Sequence, residues 1–75
     1  MTPHTIAQMK RMALRTELAG RLRMKRITLD IRQAEAAAAV GITQASISNY
    51  ESEKRDMPYW VVVGLDEFYA EQEAN

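Results

Sequence analysis

Between residues 44 and 50 the chain spaces small polar side chains as a short helix would present them. Ile47 and Tyr50 share one side with Glu51 beside them, while Gln44, Ala45, Ser48 and Asn49 fall largely on another. The second set offers amides, hydroxyls and one methyl group. An amide pairs with adenine in a bidentate way and a methyl packs on thymine, so this edge has the chemistry of major-groove readout.

Little else in the chain competes for a chemical role. Its 75 residues include no cysteine and one histidine, His4. That leaves neither a disulfide framework nor the donors of a metal centre. No Gly-rich phosphate loop, nucleophile triad or metal cluster is visible, so neither enzyme activity, a metal nor a cofactor is expected. No apolar run is long enough to span a bilayer and no secretory segment opens the chain, which leads us to expect a soluble, cytoplasmic protein. The net charge of zero conceals a split: residues 1–28 hold seven Lys/Arg and one Glu, residues 29–75 three Lys/Arg and nine Asp/Glu. A basic half of this kind can face phosphates while the acidic end points away. Arg23 and Arg26 belong to that basic half.

The elements that must position the polar edge can be read around it. Residues 33–40 are rich in alanine, the strongest helix former. Gly41 follows, and glycine ends helices well because it enters the left-handed region without steric cost. Ile42 supplies an apolar anchor, and Thr43 can cap the next helix through its side-chain oxygen. The run 36–39 reads as packing surface, because small side chains let a helix sit close to its neighbours. Upstream, Asp30 is the candidate cap of the alanine-rich helix, with Gln33 as reciprocal partner. Thr2-Pro3 has the form of a helix start. From there to Arg26 the pattern predicts one long helix, or two broken near residues 15–20. Lys10, Arg11 and Arg15 fall in an N-terminal arm. Pro58 opens a last helix whose stripe runs Val61, Val62, Leu65, Phe68, Tyr69; a short strand over 60–63 is the competing reading.

These residues resemble the helix-turn-helix of phage repressors and Cro proteins, the XRE-type family. Its pattern runs roughly Thr-Gln-x-x-Leu-Ala, four residues, Gly-Val-Ser, three residues, Ile-Ser, two residues, Glu. Gln33, Ala37, Gly41, Ile42, Thr43, Ile47, Ser48 and Glu51 match it in register. Leu22-Arg23 and Arg26 fit its first helix, and Pro58 fits the proline of its next one. The likeness covers about residues 18–68. It departs at Arg32, where the family has a capping Thr or Ser; at Ala36, usually leucine; and at Glu53, usually glycine. Glutamate there suggests a different turn or strain, and the small Ala36 leaves core volume for Trp60 and Tyr50 to fill.

The resemblance implies an all-α fold: a compact four- to five-helix lambda-repressor-like domain over 17–70, a helical N-terminal extension over 1–16 and a frayed tail over 71–75. It implies a sequence-specific transcriptional regulator, a repressor of Cro type, binding double-stranded DNA at a near-palindromic operator as a homodimer. Base contacts fall to Gln44, Ala45 and Asn49, with Ser46 and Ser48 as lesser candidates. Phosphate contacts fall to Gln33, Thr43, Lys54 and Arg55, with Arg23 adding to the field. Arg26 and Glu51 match a structural ion pair of some family members. The expected dimer surface is the last helix, through Trp60, Val63 or Tyr69, with the N-terminal extension as second choice, and the last helix is also where a protein partner would dock. The alternative is an interaction module on the same fold, an antirepressor or antitoxin with weak or no DNA binding.

Overall fold

The computed structural model describes the backbone of residues 6–75 and the side chains of residues 16–75. Within them four helices follow one another without a strand: α1 (Ile6–Thr28), α2 (Gln33–Val40), α3 (Gln44–Glu51) and α4 (Tyr59–Ala74). The expected start at Thr2-Pro3, His4, and the side chains of Lys10, Arg11 and Arg15 lie outside the described residues. α1 is unbroken through Gly20, so residues 6–26 form one long helix rather than two. At the other end α4 continues to Ala74, past the boundary expected at residue 70, so residues 71–74 are helical where a frayed tail was expected.

Three helices end with the same device. After α1, Asp30 takes φ 57°, its N–H reaches Ile27 O and the Ile31 N–H reaches Arg26 O, both at 3.0 Å. After α2, Gly41 takes φ 79° and the Ile42 N–H reaches Ala37 O at 2.9 Å. After α3, Glu53 takes φ 64° and the Lys54 N–H reaches Asn49 O at 2.9 Å. Each is a Schellman closure, in which one left-handed residue lets two N–H groups satisfy carbonyls of the last turn. Asp30 therefore closes α1 and does not cap α2. The residue before α2 is Arg32, which makes no side-chain cap, and Gln33 stays at the mouth of the helix. Glu53 carries the backbone strain expected of a glutamate at a glycine position.

The core lies where the four helices meet. Leu22 of α1, Ala36 and Ala37 of α2, Ile47 and Tyr50 of α3, and Val61, Leu65 and Tyr69 of α4 are buried together with Ile31. Each large aliphatic among them contributes about 1.5–3 kcal/mol by leaving water. Tyr50 is a core filler as expected, but Trp60 is not, because it is 57 % exposed. Its place is taken by Tyr69, which is 0 % exposed and so cannot belong to a dimer surface of the folded chain. Val63 is half-buried. The alanine run divides the same way: Ala36 and Ala37 pack inward, while Ala38 and Ala39 face outward.

Gly64 of α4 lies close against Val40 of α2. A Cβ there would overlap Val40 Cγ1, and the β-branched valine has little rotamer freedom to yield. Gly64→Ala should therefore lower stability by about 1–2 kcal/mol, since overpacking outweighs the gain of up to about 1 kcal/mol in helix propensity. Urea unfolding checks this. Val40→Ala in the same chain should recover part of the loss.

Candidate nucleic-acid interface

A single carboxylate joins the elements that frame α3. Glu51, in the last turn of α3, accepts from Arg26 Nε at 2.7 Å and from Arg26 Nη2 at 2.9 Å. The remaining arm of the guanidinium, Nη1, donates to Ile31 O at 2.8 Å. Gln33 Nε2, at the first residue of α2, donates to the same carboxylate at 3.1 Å. The side chains of Arg26 and Glu51 are only 12 % and 5 % exposed. The planar fork of arginine matches a carboxylate bidentately, so the pair fixes direction as well as distance. The expected ion pair is thus present, and it makes Arg26 a structural cation, with little of its charge open to solvent.

Beneath the pair lies Tyr69, whose Oη is buried without a hydrogen-bond partner among the described residues. Burial first, and then the Glu51 carboxylate, push its hydroxyl up to about 12. The hydrogen bond to Glu51 raises Arg26 further above its ordinary range, against the opposing effect of burial.

Thr43 caps α3: the Ser46 N–H donates to its Oγ1 at 3.1 Å, and that hydroxyl donates in turn to Ser46 Oγ at 2.9 Å. Ser46 Oγ thereby accepts one hydrogen bond within the cap, and the residue is half-buried. Gln44, Ala45 and Ser48 are exposed and Asn49 is half-buried. No hydrogen bond within the described residues occupies the amides of Gln44 or Asn49. One edge of α3 therefore shows two amides, a methyl and a hydroxyl to solvent, while Ile47 and Tyr50 anchor the opposite edge in the core.

The residues expected near phosphates divide into two groups. Arg23, Lys54 and Arg55 are exposed. Lys54 and Arg55 come after the Ser52-Glu53 closure of α3, with both backbone N–H groups turned to Asn49 O. Gln33 and Thr43 are each committed inside the fold, to Glu51 and to the α3 cap, though Thr43 is exposed. Sequence reading missed a further link: Thr16 Oγ1 of α1 donates to Glu53 Oε1 at 2.6 Å, tying α1 to the loop that carries Lys54 and Arg55. No spacing rule announces it, since 37 residues separate the partners.

Two helices joined by a tight glycine turn, the second capped and showing a polar edge, define a helix-turn-helix. A sequence model described as Helix-turn-helix domain matches residues 17–75, and the chain belongs to that family, which places it among DNA-binding domains associated with transcription regulation. No curated protein and no solved structure matches the chain. Among the described residues no helix is long and apolar enough to cross a membrane.

Two expectations follow from the buried pair. Glu51→Ala, which strands the Arg26 guanidinium, should cost about 3–5 kcal/mol in urea unfolding, and Arg26→Met with Glu51→Leu should cost clearly less than that single change. Tyr69 is neutral in the folded chain up to about pH 12 but ionises near its ordinary value of about 10 when unfolded. Its contribution to stability should be whole below about pH 10 and fall away as pH rises through about 12. Tyr69→Phe should flatten that alkaline decline in pH-dependent unfolding.

Proposed function

We propose that this chain is a cytoplasmic, sequence-specific DNA-binding regulator of phage repressor or Cro type, acting as a homodimer on a near-palindromic operator. The observation that carries the reading is the solvent-facing edge of α3, where no hydrogen bond among the described residues occupies the Gln44 and Asn49 amides and the helix is locked from behind by Arg26–Glu51. Gln44, Ala45 and Asn49 read base edges, with Ser48 beside them. Lys54, Arg55 and Arg23 set the register on the phosphates, with Gln33 and Thr43 as weaker contributors. A net charge of zero is compatible with this because four of the ten acidic residues, Asp66, Glu67, Glu71 and Glu73, lie on α4, which carries no Lys or Arg.

A second reading, an interaction module of antirepressor or antitoxin kind with a partner on the last helix, is favoured by one observation. Tyr59 and Trp60, at the start of α4, are 83 % and 57 % exposed. Co-purification of a protein partner without DNA, together with no binding to any duplex, would select it.

The regulator reading is tested by affinity for duplexes enriched from a random pool, set against unselected duplexes, across a salt series. Gln44→Ala should lose about 1–3 kcal/mol on enriched sites and little on unselected DNA. Lys54→Ala should weaken both and reduce the salt slope by about 1. Equal losses on all duplexes for Gln44→Ala would remove it as a base reader.

A further inference from the structure

On α1, Arg21, Met24, Lys25 and Thr28 follow the spacing i, i+3, i+4, i+7, which puts them on one face of the helix. This is a different face from Leu22 and Arg26, which turn to the core and to α3. The four residues, with Leu29 and with Glu73 of α4, line an open groove of about 310 Å³. Its α1 wall is cationic and its α4 wall acidic, and the two touch only loosely: Lys25 Nζ lies 3.8 Å from Asp66 Oδ1, with both side chains more than a third exposed.

Two features here are unfavourable for a lone chain. Met24 is 56 % and Ile27 45 % exposed, so apolar surface beside the groove stays in water. Glu71 and Glu73 fall in the last turn of α4, which contains no basic residue. Carboxylates there face the negative end of the helix dipole, where cations are preferred.

We infer that this groove is a self-association surface whose occupant is a second copy of the same chain. A twofold axis running along the groove brings the Arg21–Lys25 wall of each copy against the acidic α4 wall of the other. It covers Met24 in the same step. A patch with opposite charges on its two sides is self-complementary under that operation, which an isologous interface requires. Cations of one copy then supply the charge that the α4 terminus of the other lacks. α1 stands between the groove and α3, so the polar edge of α3 stays uncovered in the pair.

This inference rests on the homodimer part of the reading above, and its test reads mass and not DNA binding: a monomer removes both, a dimer that ignores Arg21→Glu removes this surface alone, and base reading by α3 is judged separately on duplexes. Sedimentation equilibrium of the full chain should show a monomer–dimer equilibrium that weakens as salt rises. Arg21→Glu and Glu73→Lys should each raise the dimer dissociation constant by about tenfold or more. The two combined should restore it, because the charges are exchanged and not lost. Both changes lie on exposed positions, and circular dichroism should show unchanged helix. A monomer at every concentration would overturn the inference, and so would failure of the exchanged pair to recover. Dissociation by Trp60→Ala with no effect of Arg21→Glu would move the contact to the start of α4 and equally overturn it.

Discussion

Arg26 and Glu51 are separated by 25 residues of chain and by 2.7 Å of space, and the relative placement of three helices depends on that meeting. The guanidinium belongs to α1, the carboxylate to α3, and the groups that complete the network come from the α1–α2 turn and the mouth of α2. Taking two charges out of water is costly, and a buried pair adds little net stability over an apolar substitute. Its value lies in direction. A bidentate fork tolerates little rotation, so α3 cannot turn about its own axis without stranding a charge. The polar edge of α3 is consequently held at a fixed angle to the rest of the fold, and that angle decides which side chains meet the solvent.

The turns complete this placement. Three closures through a left-handed residue keep the connections short, and the first two carry the chain from one helix to the next within three or four residues. Glycine does this at Gly41 without cost. Aspartate does it tolerably at Asp30, and glutamate does it under strain at Glu53. The strained closure is the one next to Lys54 and Arg55, and it is also the one tied to α1 through Thr16. In the DNA-binding account, the loop that sets the register on phosphates is therefore pinned from two sides, by the end of α3 and by α1.

Much of this was legible in the chain, for physical reasons that vary from place to place. Gly41, Ile42 and Thr43 announced the turn and the cap because each residue type has one strong local preference there. The Arg26–Glu51 pair could be named only through the family resemblance, since nothing local links residues so far apart. Asp30 was misread because aspartate suits both an N-cap and a left-handed closure, and the Ile31 N–H bond to Arg26 that decides between them is not visible in residue types. Trp60 and Tyr69 were misplaced because α4 is apolar nearly all round at its start. Periodicity alone then leaves the buried side undetermined, and packing against Ala36 and Ala37 fixes it. The Arg21–Thr28 stripe obeys a plain helical spacing, yet it became meaningful only when Glu73 appeared across from it.

As a base reader, the exposed edge of α3, held in place by the Arg26–Glu51 pair, would face bases in a major groove. Methylation interference on an enriched duplex examines this most directly, because one reagent marks guanine N7 in the major groove and adenine N3 in the minor groove. N7 methylation within a short cluster of base pairs should block binding, with N3 methylation there having little effect. Interference confined to the minor groove, or spread evenly without any base cluster, would contradict major-groove reading.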